Sequence, residues 1–219
     1  MRKHYLESLF APSSVVVICD KEYREIGEQV IHNLRQAGYA GEIHAVAEGA
    51  GDLAGMPARA SLAEVGQSVE LAIIAARAER QPDLLRQSGE CKVSAAVVLS
   101  GGFSETQEKG LSLQNELVEI ARDCDIALVG PRCLGIVRPI HNFNASSARS
   151  PVAGGQVALV TQSGAFCSAI LDWSDANGFG FSAVASLGAT SDVKLGDVLD
   201  YLAQDPHTRS ILLDRKSVV

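Results

Sequence analysis

The chain is poor in several things, and each shortage excludes a class of protein. Aromatic residues make up 5 % of its 219 positions, with a single tryptophan; stacking platforms for bases are therefore not expected. Basic residues are outnumbered, 19 Lys+Arg against 26 Asp+Glu. An acidic surface of this kind opposes a general nucleic-acid or anionic-membrane partner. No segment reaches the roughly 18 consecutive apolar residues of a membrane-spanning helix. Met1-Arg2-Lys3 is basic, but no apolar run follows before Ser13, so no signal peptide is expected. The five cysteines (Cys19, Cys91, Cys124, Cys133, Cys167) are odd in number and form no C-x-x-C pair. They read as reduced thiols of a cytoplasmic protein.

What is present is an alternation of strand-length apolar runs with helical-period stretches. Ser14–Cys19 reads as a buried strand. Ile26, Val30 and Leu34 then recur on one helical face, and Gly38 is a stop signal. Further strands are expected at 41–46, 69–75, 93–100 and 125–130, with helices at 81–88 and 105–123. Strands apolar on both faces, each followed by a helix, imply a parallel sheet covered on both sides. Residues 1–135 therefore read as one doubly wound α/β domain. Residues 136–153, with Pro139, Asn142, Asn144, Ser150 and Pro151, read as an irregular connector. A second α/β unit over 154–219 has strands at 156–161, 181–188 and 209–213 and helices at 163–176 and 193–203. It is expected to be incomplete, with open apolar edges.

In such sheets ligands bind beyond the carboxyl ends of the strands. The candidate turns are Cys19-Asp20-Lys21, Val46-Ala47-Glu48, Ala75-Ala76-Arg77, Ser100-Gly101-Gly102-Phe103 and Gly130-Pro131-Arg132-Cys133-Leu134-Gly135. Glycine allows close backbone approach to a ligand, and it equally serves plain tight turns. No G-x-G-x-x-G follows the first strand; Gly27 stands alone there. A nicotinamide-dependent enzyme or redox repressor is disfavoured accordingly. In the second unit Thr161-Gln162-Ser163-Gly164-Ala165 runs from strand to helix. Ser163 either N-caps that helix or helps its free N–H groups hold an anion. A hydrolase elbow would need glycine where Thr161 and Ala165 stand.

Several of these segments together resemble one family. They are Leu6–Val15, Ser100–Glu105, Gly130–Gly135, Thr161–Ala165, Leu171-Asp172-Trp173, Gly178–Ser182 and Asp200-Tyr201-Leu202 before Asp205-Pro206. The pattern is similar to the NDP-forming acyl-CoA synthetases: acetate–CoA ligase-like proteins, relatives of the succinyl-CoA synthetase α subunit, including ligase-like bacterial lysine acetyltransferases. The resemblance runs from about residue 6 to 213. It implies a Rossmann-like CoA-binding domain followed by flavodoxin-like domains, the first of which, over 154–219, is incomplete here. It also implies a reaction joining acid, CoA and ATP through an acyl phosphate and a phosphohistidine.

Carried over by position, the resemblance places coenzyme A against Cys19, Asp20, Lys21, Gly27, Val46, Ala75, Ser100, Gly101, Gly102 and Arg132. It places phosphate at Ser163 and Gly164. ATP and Mg belong to the full-length enzyme only. The implied partners are CoA or acyl-CoA, downstream flavodoxin-like and ATP-grasp domains, and a second copy of the chain. None of His4, His32, His44, His141 and His207 stands in the phosphohistidine motif, so no catalytic residue is assigned. The first turn departs from the family's Gly-Ala-Ser. Cys19 is expected to crowd a ligand and Asp20 to repel its phosphate unless Lys21 or Arg24 offsets the charge. A non-catalytic CoA- or acyl-CoA-sensing module is the alternative that this departure leaves open. After Leu213 the family continues Tyr-Leu-Glu, whereas this chain has Asp214-Arg215-Lys216, which reads as the end of a shortened product.

Overall fold

The computed structural model describes residues 4–49, 51–103 and 108–216. The elements run α1 (Glu7–Phe10), β1 (Ser14–Cys19), α2 (Arg24–Gln36), β2 (Glu42–Ala47), β3 (Gly51–Leu53), β4 (Met56–Ala58), β5 (Leu71–Ala75), α3 (Gln81–Glu90) and β6 (Ala95–Val98). They continue as α4 (Glu108–Asp123), β7 (Ala127–Val129), β8 (Gly135–Arg138), β9 (Phe143–Ser146), β10 (Gly154–Thr161), α5 (Gly164–Ala176), β11 (Phe181–Ser186), α6 (Leu195–Ala203) and β12 (Ser210–Asp214). The expected start of α4 at Glu105 lies outside the described residues, as do Ser104 and Glu105 of the glycine-rich motif.

The first sheet has the order β2-β1-β5-β6-β7, and all four pairings are parallel. Its strands show why the sequence folds this way. Val15 and Val17 face one apolar cluster while Val16 and Ile18 face another. β5 divides in the same way, Leu71, Ile73 and Ala75 against Ala72 and Ile74. With side chains alternating at a period of two, each strand must be covered on both faces. α3 and α4 supply one cover through Leu84, Leu85, Leu117 and Ile120. α1 and α2 supply the other through Leu9, Phe10, Val30 and Leu34.

The second sheet corrects the expectation for residues 136–153. It has the order β12-β10-β11-β8-β9. β8 and β9 come from the stretch read as an irregular connector, and they extend the sheet antiparallel from β11. The sheet is thus five-stranded and mixed. The reason the pair was missed is its turn: Pro139 and Asn142, read as loop signals, form the reversal between two four-residue strands, with Asn142 at φ +51. β3 and β4 form a second unforeseen hairpin, turning at Gly55 with φ +73.

The two sheets share one core. The cluster that contains Val15, Val17, Val30 and Leu34 also contains Ala158, Val160, Ala183, Ala185, Val198 and Leu202. The layers are therefore α3/α4, first sheet, α1/α2/α6, second sheet, α5. Asn33 of α2 is buried, and its amide nitrogen donates to the carbonyls of Ser146 and Ala148, both at 2.8 Å. Edge strand β12 leaves Leu212 and Leu213 exposed. No helix among the described residues is long and apolar enough to cross a membrane.

Candidate functional site

In the order β2-β1-β5-β6-β7 the strand order reverses between β1 and β5, so the ligand crevice lies at their carboxyl ends. The register brings these ends level: Cys19 pairs Ala47 on one side and Ala75 on the other. The turns after β1 and β5 therefore face each other across the crevice.

Asp20 stands at its centre and is 2 % exposed. Its Oδ1 accepts the backbone N–H of Glu22 and of Tyr23, each at 3.1 Å. Its Oδ2 accepts the backbone N–H of Arg77 at 2.8 Å and Arg77 Nε at 3.2 Å. Burial pushes the carboxyl up, but the donors from Arg77 and Tyr23 outweigh it and hold Asp20 below the ordinary carboxylate range. The charge expected to meet a ligand is thus satisfied from within, and the cation that does so is Arg77. Arg24 instead pairs with Glu28 at 3.0 Å. Lys21, exposed on the same turn, makes no hydrogen bond or ion pair with any described residue through its side chain.

Cys19 is buried, and burial raises its thiol to about 11. Its sulfur lies against Gly27 of α2, where an added Cβ would sit 3.0 Å from Sγ and 3.1 Å from Cys19 Cβ. Cys19 therefore fills the gap between strand and helix. Gly27 serves this contact from the middle of the first turns of α2. Val46 and Ala75 are buried at their strand ends. Glu48, after β2, pairs with Arg80 at 3.0 Å, so its charge is also met from within the chain. A cavity of about 130 Å³ opens here, bordered by Asp20, Val46, Ser61 and Arg80.

The Ser100 hydroxyl is likewise engaged. It donates to the Ala76 carbonyl at 2.5 Å and receives Gln81 Nε2 at 2.5 Å. It ties the turn after β6 to the turn after β5. Gly101 is half-buried, and Gly102 has φ +98.

The turn after β7 links the two sheets. Arg132 N–H donates to the Ser100 carbonyl at 3.0 Å, and Ala189 N–H donates to the Pro131 carbonyl at 2.9 Å. Leu134 N–H donates to Ser186 Oγ at 2.9 Å. Gly130 is required: at φ +99, a Cβ there would lie 2.4 Å from the Val98 carbonyl oxygen. Arg132 is exposed with φ +58, outside the usual range for a residue with a side chain. The N-terminus of α5 abuts this turn, since a Cβ on Gly164 would be 3.9 Å from Leu134 N. Ser163 does cap α5, its Oγ accepting Phe166 N–H at 3.3 Å. Thr161 Oγ1 accepts Ser163 N–H at 2.9 Å and donates to Asp214 at 2.7 Å.

The structure thus gathers Ser100, Gly101, Gly102, Arg132, Ser163 and Gly164 along one rim and Cys19, Asp20, Lys21, Val46 and Ala75 along the adjoining one. A larger groove of about 690 Å³ lies elsewhere, near the amino ends of β10 and β11, beside Asn33, Phe143 and His207. It contains none of the residues expected from the sequence. The sequence places Arg77 in the turn after β5 and Gln81 at the start of α3, but it does not show their partners Asp20 and Ser100, because each of these stands in another turn.

Residues 13–139 match the CoA binding domain family. The chain belongs to that family. Residues 154–218 match the succinyl-CoA ligase like flavodoxin domain, so the similarity continues past residue 213, where the motifs give out. The chain is 37 % identical over 214 residues to the ADP-forming acetate–CoA ligase I of Archaeoglobus fulgidus, covering 97 % of this chain and 31 % of that protein. It is 33 % identical over 218 residues to the α subunit of the ADP-forming acetate–CoA ligase I of Pyrococcus furiosus, covering 97 % and 47 %. A dinucleotide-forming acetyl-coenzyme A synthetase 1 from Ca. Korarchaeum cryptofilum, solved with phosphate and ADP, superposes with a TM-score of 0.91. It is 28 % identical, with 98 % of this chain and 46 % of that one covered. The chain spans 31–47 % of the length of these relatives.

Proposed function

We propose that this chain is the CoA-binding portion of an ADP-forming acid–CoA ligase, in which the CoA thiol accepts the acyl group of an activated acid. The observation that supports it most is the coincidence of two things. The CoA binding domain match covers 13–139, and the turns it contains converge on the β1/β5 crevice. In this reading CoA lies along the carboxyl ends of the first sheet. Lys21 supplies a free cation near its phosphates, and Gly101 and Gly102 permit close approach. Arg132 and the N-terminus of α5, capped by Ser163, face the reacting end, where an N-terminus favours an anion such as phosphate. Asp20, Cys19, Gly27 and Ser100 shape the turns. Val46 and Ala75 form the floor.

The division into a CoA-binding domain that begins at residue 1 and a second unit that continues to residue 219 belongs to the same proposal, with β8 and β9 part of the second sheet. So do acetate as the acid, a cytoplasmic setting, and ATP and Mg at parts of the ligase outside the CoA-binding portion. Calorimetric titration of the folded chain tests the reading. CoA or acetyl-CoA should bind at one site per chain, while ATP should give no heat. A folded chain that takes up neither thioester nor free CoA overturns it.

A further inference from the structure

The Asp20 carboxylate has an unusual set of partners for a ligand crevice. Three backbone N–H groups and one guanidinium nitrogen converge on it from two turns separated by 57 positions. Convergent backbone N–H groups at the first turn of a doubly wound sheet are the device by which such folds hold phosphate. Here the donors are already taken by an oxyanion that belongs to the chain. The side chain of Asp20 is 1 % exposed and that of Arg77 is 48 % exposed, so the carboxylate is sealed in while the cation reaches the opening. Other charges at the opening are Glu22, 3.9 Å from Arg77 Nε, and the Glu48–Arg80 pair.

We propose that Asp20 is an internal anion that occupies the amide cradle of the β1/β5 crevice and thereby sets the specificity of the site, keeping the phosphates of its ligand out of that cradle. The specificity part rests on the reading of this site as one for CoA; the occupied cradle does not. A phosphate entering the cradle would have to displace a carboxylate already satisfied by four donors. The ligand's phosphates must then lie further out, toward Lys21 and the exposed part of Arg77. Recognition shifts from the phosphate end of the ligand toward its pantetheine end.

The test uses the whole chain, with Asp20→Ala to empty the cradle and Asp20→Asn as a milder change. Asn keeps an oxygen for Glu22 and Tyr23 but removes the charge, and its amide nitrogen cannot accept from Arg77. Three probes are titrated: inorganic pyrophosphate, CoA and pantetheine. Wild type should ignore pyrophosphate. Asp20→Ala should bind it and should bind CoA at least about tenfold more tightly, the scale of one charged hydrogen bond, with pantetheine unchanged. If Asp20→Ala does not fold, a gain for pyrophosphate in Asp20→Asn supports the proposal and no gain overturns it. A folded Asp20→Ala with no gain for pyrophosphate overturns it and leaves Asp20 a turn-capping residue only. A gain for pyrophosphate with no CoA bound by any form supports the internal anion and overturns the CoA reading on which the specificity rests.

Discussion

Arg138 on β8 and Asp205 ahead of β12 form a buried two-pronged ion pair, with N–O distances of 2.8 and 3.2 Å and side chains 3 % and 5 % exposed. The pair bolts the antiparallel part of the second sheet, through its inner strand β8, to the turn leading into edge strand β12. Burial pushes the Asp205 carboxyl up, but Arg138 and Thr208 outweigh it and bring it down to about 2.

A carboxyl depressed in the folded state lends stability that is fully present above its unfolded value, near 3.9, and is lost as pH falls through the folded one. Stability should therefore decline from about pH 4 toward pH 2. Asp205→Asn should flatten that decline. At neutral pH the same substitution leaves a buried guanidinium without its charge partner and should cost about 3–5 kcal/mol. Urea unfolding of both proteins at several pH values checks each part. An unchanged acid limb in Asp205→Asn would show that other carboxylates govern it.

Tyr201 of α6 stacks on Phe10 of α1, with centroids 4.6 Å apart, and its hydroxyl donates to Glu7 at 3.1 Å. Tyr201→Phe should cost about 1 kcal/mol for the hydrogen bond. Tyr201→Ala should cost about 3 kcal/mol for the ring and the space it leaves. Because the two sheets share a core, both variants should still unfold in one transition. Separate transitions for the amino- and carboxyl-terminal parts would contradict the shared core.

Gly27→Ala should destabilise by about 1–2 kcal/mol, since the new methyl meets Cys19 in a filled gap. In a Cys19→Gly background the same change should become neutral or stabilising, because alanine is the better helix former by about 1 kcal/mol. A double-mutant cycle by thermal unfolding measures the difference. Equal effects in the two backgrounds would separate Gly27 from Cys19.

Ser100→Ala removes the hydroxyl between Ala76 and Gln81 and should cost about 1 kcal/mol, since Gln81 Nε2 keeps its bond to the Ala76 carbonyl at 2.8 Å. It should also weaken CoA binding, because the turns after β5 and β6 lose their tie. Calorimetry against wild type decides it; unaltered affinity would make the tie irrelevant to the ligand.

Much of this arrangement is legible in the chain itself. β1, β5 and β6 announce themselves because a strand buried on both faces has no room for polar residues. α2 shows its buried face through Ile26, Val30 and Leu34. The crevice follows once the strands are in order, so Ser100, Arg132 and Ser163 could be named from the turns. The state of each side chain could not. Asp20 reads as a repulsive charge in sequence, yet it is neutralised by Arg77, a partner 57 positions away. Cys19 reads as an obstruction to a ligand and turns out to pack on Gly27. β8 and β9 were hidden because four-residue antiparallel strands around Pro139 and Asn142 carry too few positions to show a period.

The bonds from Asn33 to the carbonyls of Ser146 and Ala148 also bear on how such a chain can be rearranged by recombination. A crossover placed between positions 135 and 143, within the obvious seam by sequence, would deliver an α2 whose inner face and whose Asn33 amide had lost their matching β9. The new partner would need the same carbonyls at the same spots and a similar apolar relief. The two halves are therefore inherited well only as a set, and a chimera that exchanges one of them has to carry residues 135–148 and the inner face of α2 from the same parent.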